Sequence, residues 1–424
     1  MAVAKELAET IIDPKAYSLR DPVDAAFRTI RAQTPLDVAT LDDVEPFWVV
    51  SRHADIKEIE RQPDIFHNGD KSTFLTNMEG NEKVKMLTGG EPNLIRSLVS
   101  VDGLEHKNLR GIVFPHVTPR AIRPLEDRIR EIARDFVDHM LTFDGECDFA
   151  QDVAFLYPLR VIMTVLGVPQ EDEAFMLKLT QELFNNADPE LNRARAELTP
   201  EEALKSLWET TMELENYFAA VTKKFRDNPT DQVNSLIANA KIDGEYLNHR
   251  QMMGYYIIAA TAGHDTTSNT AAGAMWAMAE RPGMLEAMQA NPDLINAFVE
   301  ESIRWEVPVK HFMRSAVSDT EIAGQKIRAG DWLMLSYQSG NRDEAVWDDP
   351  FDFRIDRGSS NPQIAFGYGV HVCLGQHLAR MEMRILWEEL FKRLKSVEMN
   401  GQGERTISNF VCGPKHVPVR FTVQ

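Results

Sequence analysis

The segment QMMGYYIIAATAGHDTTSNTAAGAMWAMAE, residues 251–280, constrains this chain more than any other. It is helical in character and apolar on nearly every face, on both sides of a polar block, His264-Asp265-Thr266-Thr267-Ser268-Asn269. A helix without a polar face has to be enclosed by other elements, so the rest of the chain must build a layer around it. A membrane span does not fit. The polar block falls in mid-segment, and no apolar stretch reaches the roughly 20 residues that a bilayer requires. A buried carboxylate needs a reason. Either Asp265 and Thr266 satisfy backbone groups at a helix irregularity encouraged by Gly263, or they carry chemistry.

A chain of 424 residues with 43% apolar content can supply that enclosure. No Gly/Ser linker and no repeat interrupts it, so residues 1–424 are expected to form a single domain. The three cysteines, Cys147, Cys373 and Cys412, are too few and odd in number for a disulfide framework, which points to the cytoplasm. The N-terminus MAVAKELAETIIDPKAYSLR has no apolar run behind a basic start, so neither a signal peptide nor a membrane anchor is expected. A formal net charge of -19 disfavours nucleic acid as a partner.

Apolar residues recur at helical spacing over 120–141 and over 201–226. The second run follows Thr199-Pro200-Glu201-Glu202, a capping box with proline in the first turn. Strand-like pieces are short: 47–51, the run 320–335 with turns at Gly324 and Gly330, and 417–423. The fold class is therefore mainly α with a minor β part. Residues 185–200 carry charge and two prolines with little periodicity, and are expected as a solvated connection or a mobile lid.

The second informative stretch is FGYGVHVCLGQHLARMEMRILWEEL, residues 366–390, where Cys373 stands between a glycine-rich loop and a helical pattern. A thiolate there would gain from the helix dipole and from the free N–H groups of Leu374, Gly375 and Gln376. Gly367, Gly369 and Gly375 would let the backbone approach a flat ligand, with Phe366 packed beside it. A catalytic nucleophile needs a base and an orienting group, and the sequence marks neither uniquely. A buried structural thiol is the commoner fate of a lone cysteine, but it leaves the glycines unexplained.

Phe366-Gly367-x-Gly369-x-His371-x-Cys373-x-Gly375 resembles the haem-binding loop of the cytochromes P-450. The resemblance implies that family's fold, with a long central distal helix and Cys373 as the proximal ligand to haem b. Further motifs follow in the family's order. Ala262-Gly263-His264-Asp265-Thr266 resembles the distal acid and alcohol, implying Asp265 and Thr266 as the catalytic proton relay. Glu301-Ser302-Ile303-Arg304 resembles the Glu-x-x-Arg pair, and 353–357 the stretch that adds Arg357 to it. By spacing alone Glu300 could equally pair with Arg304. His106-Lys107-Asn108-Leu109-Arg110 resembles the propionate-binding His-x-x-x-Arg, so that His106, Arg110, Arg314 and His371 would hold the haem propionates. The wording of 257–269, 297–315 and 406–421 looks most like bacterial terpineol-type hydroxylases.

The resemblance implies hydroxylation of a small hydrophobic compound, a monoterpenoid or aromatic hydrocarbon, with O2 and electrons from NAD(P)H. The electrons would come from a 2Fe-2S ferredoxin and its reductase, docking on a local basic patch drawn from Lys107, Arg110, Arg120, Arg123 and Arg380. Substrate would be lined by the loop around Phe74 to Leu98, by Ala259 and Ala262, by Val307 and Val309, and by Phe410. Two alternatives remain: a haem-thiolate sensor or ligand-binding protein, and a peroxide-driven member of the family.

Overall fold

The apolar segment forms two helices rather than one. The computed structural model describes residues 2–424, and in it His249–Ala262 and Asp265–Ala279 are separated by a break at Gly263 and His264. Glycine at the break has a packing reason: a Cβ at position 263 would stand 2.6 Å from Ile162 and 2.9 Å from the Ala259 carbonyl, so only glycine lets the helix Leu156–Leu166 approach this closely. Helices Leu156–Leu166, Pro200–Asp227 and Ile295–Glu306 enclose the pair. Of the 15 residues in Asp265–Ala279, all but Thr266 and Trp276 are buried, as a helix without a polar face demands.

The run 120–141 is interrupted where a single helix was expected. Pro124 lacks an N–H and forces a tight turn, Arg123–Leu125, between Pro119–Ile122 and Glu126–Met140. Beyond it, Ile129, Ile132, Ala133, Phe136, Val137 and Met140 are buried at the spacing of one helix face. The helix Pro200–Asp227 begins with both halves of the Thr199/Glu202 capping box in place.

Sheet is minor; it takes in the three predicted pieces and also strands that the sequence did not signal, among them Leu36–Ala39, His311–Ala316 and Leu394–Met399. In the largest sheet the strand order is Leu36–Ala39, Phe47–Val50, Trp332–Ser336, His311–Ala316, Phe66–His67. Only Phe47–Val50 and Trp332–Ser336 run parallel, because most of the chain separates them. Leu394–Met399, Pro418–Val423 and Glu146–Asp148 form a three-stranded antiparallel sheet.

Residues 185–200 are not the solvated connection expected. Asp188 and Asn192 are buried, and both carboxylate oxygens of Asp188 lie 3.2 Å from Lys415 Nζ. His416 bridges Asp148 at 2.5 Å through Nδ1 and Glu190 at 2.7 Å through Nε2. Two carboxylates facing both ring nitrogens require a doubly protonated ring. Burial pushes this imidazole down, but Asp148 and Glu190 outweigh it and the net shift is upward. A group held above its unfolded value stabilises the fold below that value, about 6.5, and loses the contribution as pH rises through the folded value. Hydrogen exchange of 185–192 is therefore expected to speed up as pH climbs through this range, beyond the intrinsic base-catalysed increase. In His416→Gln the excess should vanish, and an excess that persists there would refute the assignment.

Candidate active site

The loop that carries Cys373 is shaped by the protein beneath it. Gly367 and Gly369 both have φ of 69°, and a Cβ at Gly369 would lie 2.1 Å from the Glu60 carbonyl oxygen. Gly369 thus serves a turn packed on the protein beneath, whereas Gly367, also at a turn, lines the cavity. The third differs: a Cβ at Gly375 would meet no protein atom within 4 Å, leaving the floor beside the sulfur clear. The Cys373 N–H closes the loop on the Phe366 carbonyl at 2.8 Å. Burial pushes the Cys373 thiol up, while the N–H groups of Gly375 and Gln376 and the guanidinium groups of Arg110 and Arg380 pull it down. A metal cation at the sulfur would tip this balance to thiolate. Cys147 has no such donors, and burial beside Asp152 and Asp148 drives its thiol up to about 12. Cys412 is buried elsewhere, its Sγ donating to the Thr406 carbonyl at 3.3 Å.

Cys373 opens on a cavity of about 360 Å³, a size typical of small-molecule sites. The basic side chains expected at its edge are brought together there: His106, Arg110, Arg314 and His371 all line it. The rings of His106 and His371 lie 4.0 Å apart. Burial, then His371 and Arg110, lower His106 to about 4, so its ring is neutral in these surroundings. Its Nε2 is buried with no partner. Arg110 donates to the Val372 carbonyl at 2.7 Å, and Arg314 to Glu60 Oε1 at 3.0 Å.

Below this lies a buried ion cluster. Arg304 grips Glu301 with two hydrogen bonds of 2.7 Å and also donates to the carbonyls of Asn341, Pro350 and Asp352. Arg357 Nε lies 3.4 Å from the same carboxylate. The pairing left open by spacing is resolved by direction: Glu300 turns to Arg380 and Gln363, and Glu301 turns inward to Arg304.

Thr266 lines the cavity, its hydroxyl donating to the Ala262 carbonyl at 3.1 Å. Asp265 does not line it and instead faces His264, Nδ1 to Oδ1, at 3.1 Å. Phe74, Leu98, Ala259, Ala262, Val309 and Phe410 line the cavity as expected, and Phe410 packs against Phe74 and Phe312 with ring centroids 5.3 and 5.5 Å away. Val307 does not. It ends helix Ile295–Glu306 in a left-handed conformation, φ 42°, which turns its side chain into the cluster of Leu335 and Ile364. The expected loop from Phe74 to Leu98 contains a helix, Met78–Thr88, started by the Asn77 side chain.

Sequence reasoning missed three carboxylates. Glu60 binds Arg314 and the Tyr337 hydroxyl, and Asp102 lies 3.5 Å from His371. Neither had a signal in its spacing. Glu382 did: it occupies an apolar position on the helix Gln376–Phe391, four residues after Leu378. It lines the cavity, and burial raises its carboxyl well above the usual range against a single side-chain bond to Thr267.

These residues fit a haem. The clear floor at Gly375, the orphaned His106 nitrogen and the paired donors Arg110 and Arg314 suit a flat dianionic macrocycle, and Cys373 is placed to bind its iron. Comparison with known proteins agrees. The family model described as Cytochrome P-450 matches residues 76–421. The chain is 43% identical over 421 residues to cytochrome P-450-terp of a Pseudomonas species, covering 99% of this chain and 98% of that one. It is 30% identical to linalool 8-monooxygenase of Pseudomonas putida, covering 96% and 97%. Among solved structures it resembles CYP108D1 from Novosphingobium aromaticivorans, with 42% identity, TM-score 0.92 and full coverage of both chains. It also resembles CYP268A2 of Mycobacterium marinum in complex with pseudoionone, with 30% identity, TM-score 0.86 and 95% coverage of each.

The ion cluster makes a sharp stability contrast. Glu301→Gln leaves two arginines without their buried counter-ion and should cost about 3–5 kcal/mol. Glu300→Gln breaks a pair whose arginine is partly exposed and should cost about 1 kcal/mol. Urea unfolding of the two variants checks the order, and equal losses would contradict the assigned pairing.

Proposed function

The chain belongs to the cytochrome P-450 family, and on that footing we propose that it hydroxylates a compact, neutral hydrophobic compound, a monoterpenoid or an aromatic hydrocarbon. It is a haem-binding monooxygenase. The observation that carries the substrate reading is the cavity wall. Among the described residues that line it, the Arg, Lys, Asp and Glu side chains are Arg110, Arg314 and Glu382 alone. With both arginines assigned to the propionates, the wall offers no further Arg or Lys to a carboxylate substrate. The aromatic group around Phe410 offers shape and apolar area instead. Two similar proteins bear names or ligands of terpenoid character, linalool 8-monooxygenase and the pseudoionone complex.

Bound through Cys373, the haem supplies oxygen activation, which a thiolate ligand favours by promoting O–O cleavage. The chain's own residues position and protonate. Thr266 presents its Oγ1 hydroxyl at the cavity face and holds a proton there. Asp265, buried and off the cavity lining with its Oδ2 unpartnered, is the proposed acid of the pair. Arg110, Arg314, His106 and His371 orient the cofactor, and the packed apolar walls exclude bulk water.

Electrons are proposed to come from NAD(P)H through a 2Fe-2S ferredoxin. Of the five basic residues considered for its docking, Arg110 is turned inward to Val372, and Arg380 is engaged with Glu300 over the Phe366 ring. Lys107, Arg120 and Arg123 are exposed and form the candidate patch, beside exposed Leu104 and Phe114. No helix among the described residues is long and apolar enough to cross a membrane.

Turnover with a ferredoxin system and 18O2 tests the reading: one labelled oxygen should enter a monoterpenoid or aromatic substrate. Consumption confined to fatty acids would overturn the substrate class, and haem binding without any oxidation would favour a sensor. Thr266→Ala should keep substrate binding while diverting reducing equivalents into hydrogen peroxide, with coupled product falling about 10²-fold or more. Wild-type coupling in that variant would return weight to a peroxide-driven route.

A further inference from the structure

Part of the cavity wall is aromatic, and a polar pair is set into it. Phe74 and Phe312 pack their rings around Phe410 there, and Thr73, the residue before Phe74, lines the cavity together with Asn93. Both polar side chains are buried. The Thr73 N–H donates to Asn93 Oδ1 at 3.0 Å, and Asn93 Nδ2 donates to the Lys71 carbonyl at 3.2 Å, so the amide is oriented and pins the segment 71–73. The Thr73 carbonyl accepts from the Met313 N–H at 2.9 Å. The fold thus uses the backbone of Thr73 and the side chain of Asn93, but it makes no comparable use of the Thr73 hydroxyl. Among the described residues that hydroxyl meets Asn93 Oδ1, which the Thr73 N–H already occupies, and the 3.2 Å between them exceeds the usual O–H···O range of about 2.5–3.0 Å. Valine would fill the same space without the cost of burying a hydroxyl.

We propose that Thr73 Oγ1 binds the hydroxyl group of the substrate and selects an alcohol over a ketone or hydrocarbon of the same skeleton. An amide oxygen can only accept, so the Thr73 hydroxyl spends its hydrogen on Asn93 and keeps its lone pairs for a ligand. An alcohol donates to those lone pairs and leaves the Thr73–Asn93 bond in place, and two hydrogen bonds in series polarise one another. A ketone can only accept, and would have to draw the Thr73 hydrogen away from Asn93. A hydrocarbon would cover the hydroxyl and leave its lone pairs unpaired. Three threonine hydroxyls on the central helix pair are placed differently: Thr261, Thr266 and Thr270 each donate to the carbonyl four residues earlier, a common habit of threonine in helices. Thr73 stands instead on an irregular stretch of chain, next to the rings that supply apolar contact. The inference rests on the proposed substrate class, compact and neutral, and narrows it to members that carry a hydroxyl group.

Menthol, menthone and p-menthane share one skeleton and differ at one carbon, which makes them a matched test set. Their dissociation constants are measured on the holoprotein by equilibrium dialysis, for the wild type, Thr73→Val and Thr73→Ser. Comparing variants ligand by ligand cancels the differing costs of leaving water. Thr73→Val keeps the side-chain shape and should weaken menthol about tenfold, while menthone and p-menthane change by less than about twofold. Thr73→Ser returns the hydroxyl and should recover most of the menthol affinity. Menthol binding indifferent to Thr73→Val, with p-menthane bound as before, would overturn the anchor and leave the substrate class standing. An equal loss for menthol and menthone would overturn the selection of alcohols, and an equal loss for all three would show a packing effect and overturn the anchor itself. If none of the three bound the wild type, the proposed substrate class would fall and this anchor with it.

Discussion

Everything in this molecule is arranged around the enclosure of a helix pair that has no polar face. Burying His249–Ala262 and Asp265–Ala279 draws in Leu156–Leu166, Pro200–Asp227 and Ile295–Glu306, and it fixes which few side chains may stay polar. Glycine at 263 allows Leu156–Leu166 to pack closely at the break between the two helices. Thr266 faces the cavity, and Asp265 and His264 face the packed interior.

On the other side of the cavity the controlling force is electrostatic. Cys373 is held among N–H groups and guanidinium groups that oppose the cost of burying a thiolate, and the loop carrying it rests on helix His53–Glu60 through Gly369. Beneath, the Glu301, Arg304 and Arg357 cluster ties helix Ile295–Glu306 to the segment 350–357 by side-chain and carbonyl bonds. Such buried ion clusters add little net stability, but they tolerate no missing member, which suits a scaffold that has to keep a floor flat.

Local signals in the sequence predict much of this. The capping box at Thr199, the turns at Gly324 and Gly330 and the strand 418–423 depend on neighbours in the chain, and each appears in the structure. What was not legible depends on distant partners. Residues 185–200 look solvated by composition, yet Lys415 and His416, more than 200 positions away, pin them down. Val307 looks like a pocket residue until a left-handed backbone turns it away. Arg380 looks like a surface charge, but Glu300 and the Phe366 ring engage it. For Glu301 against Glu300, spacing offered no decision, and the direction of the helix face supplied it.

The central claim is that Cys373, alone of the three cysteines, binds the iron of a haem in the cavity. Absorption of the reduced protein under carbon monoxide tests it most directly. The account predicts the red-shifted Soret band of thiolate ligation in the wild type and in variants lacking Cys147 or Cys412, and its loss in Cys373→Ser. A Cys373→Ser protein that kept that band would contradict it.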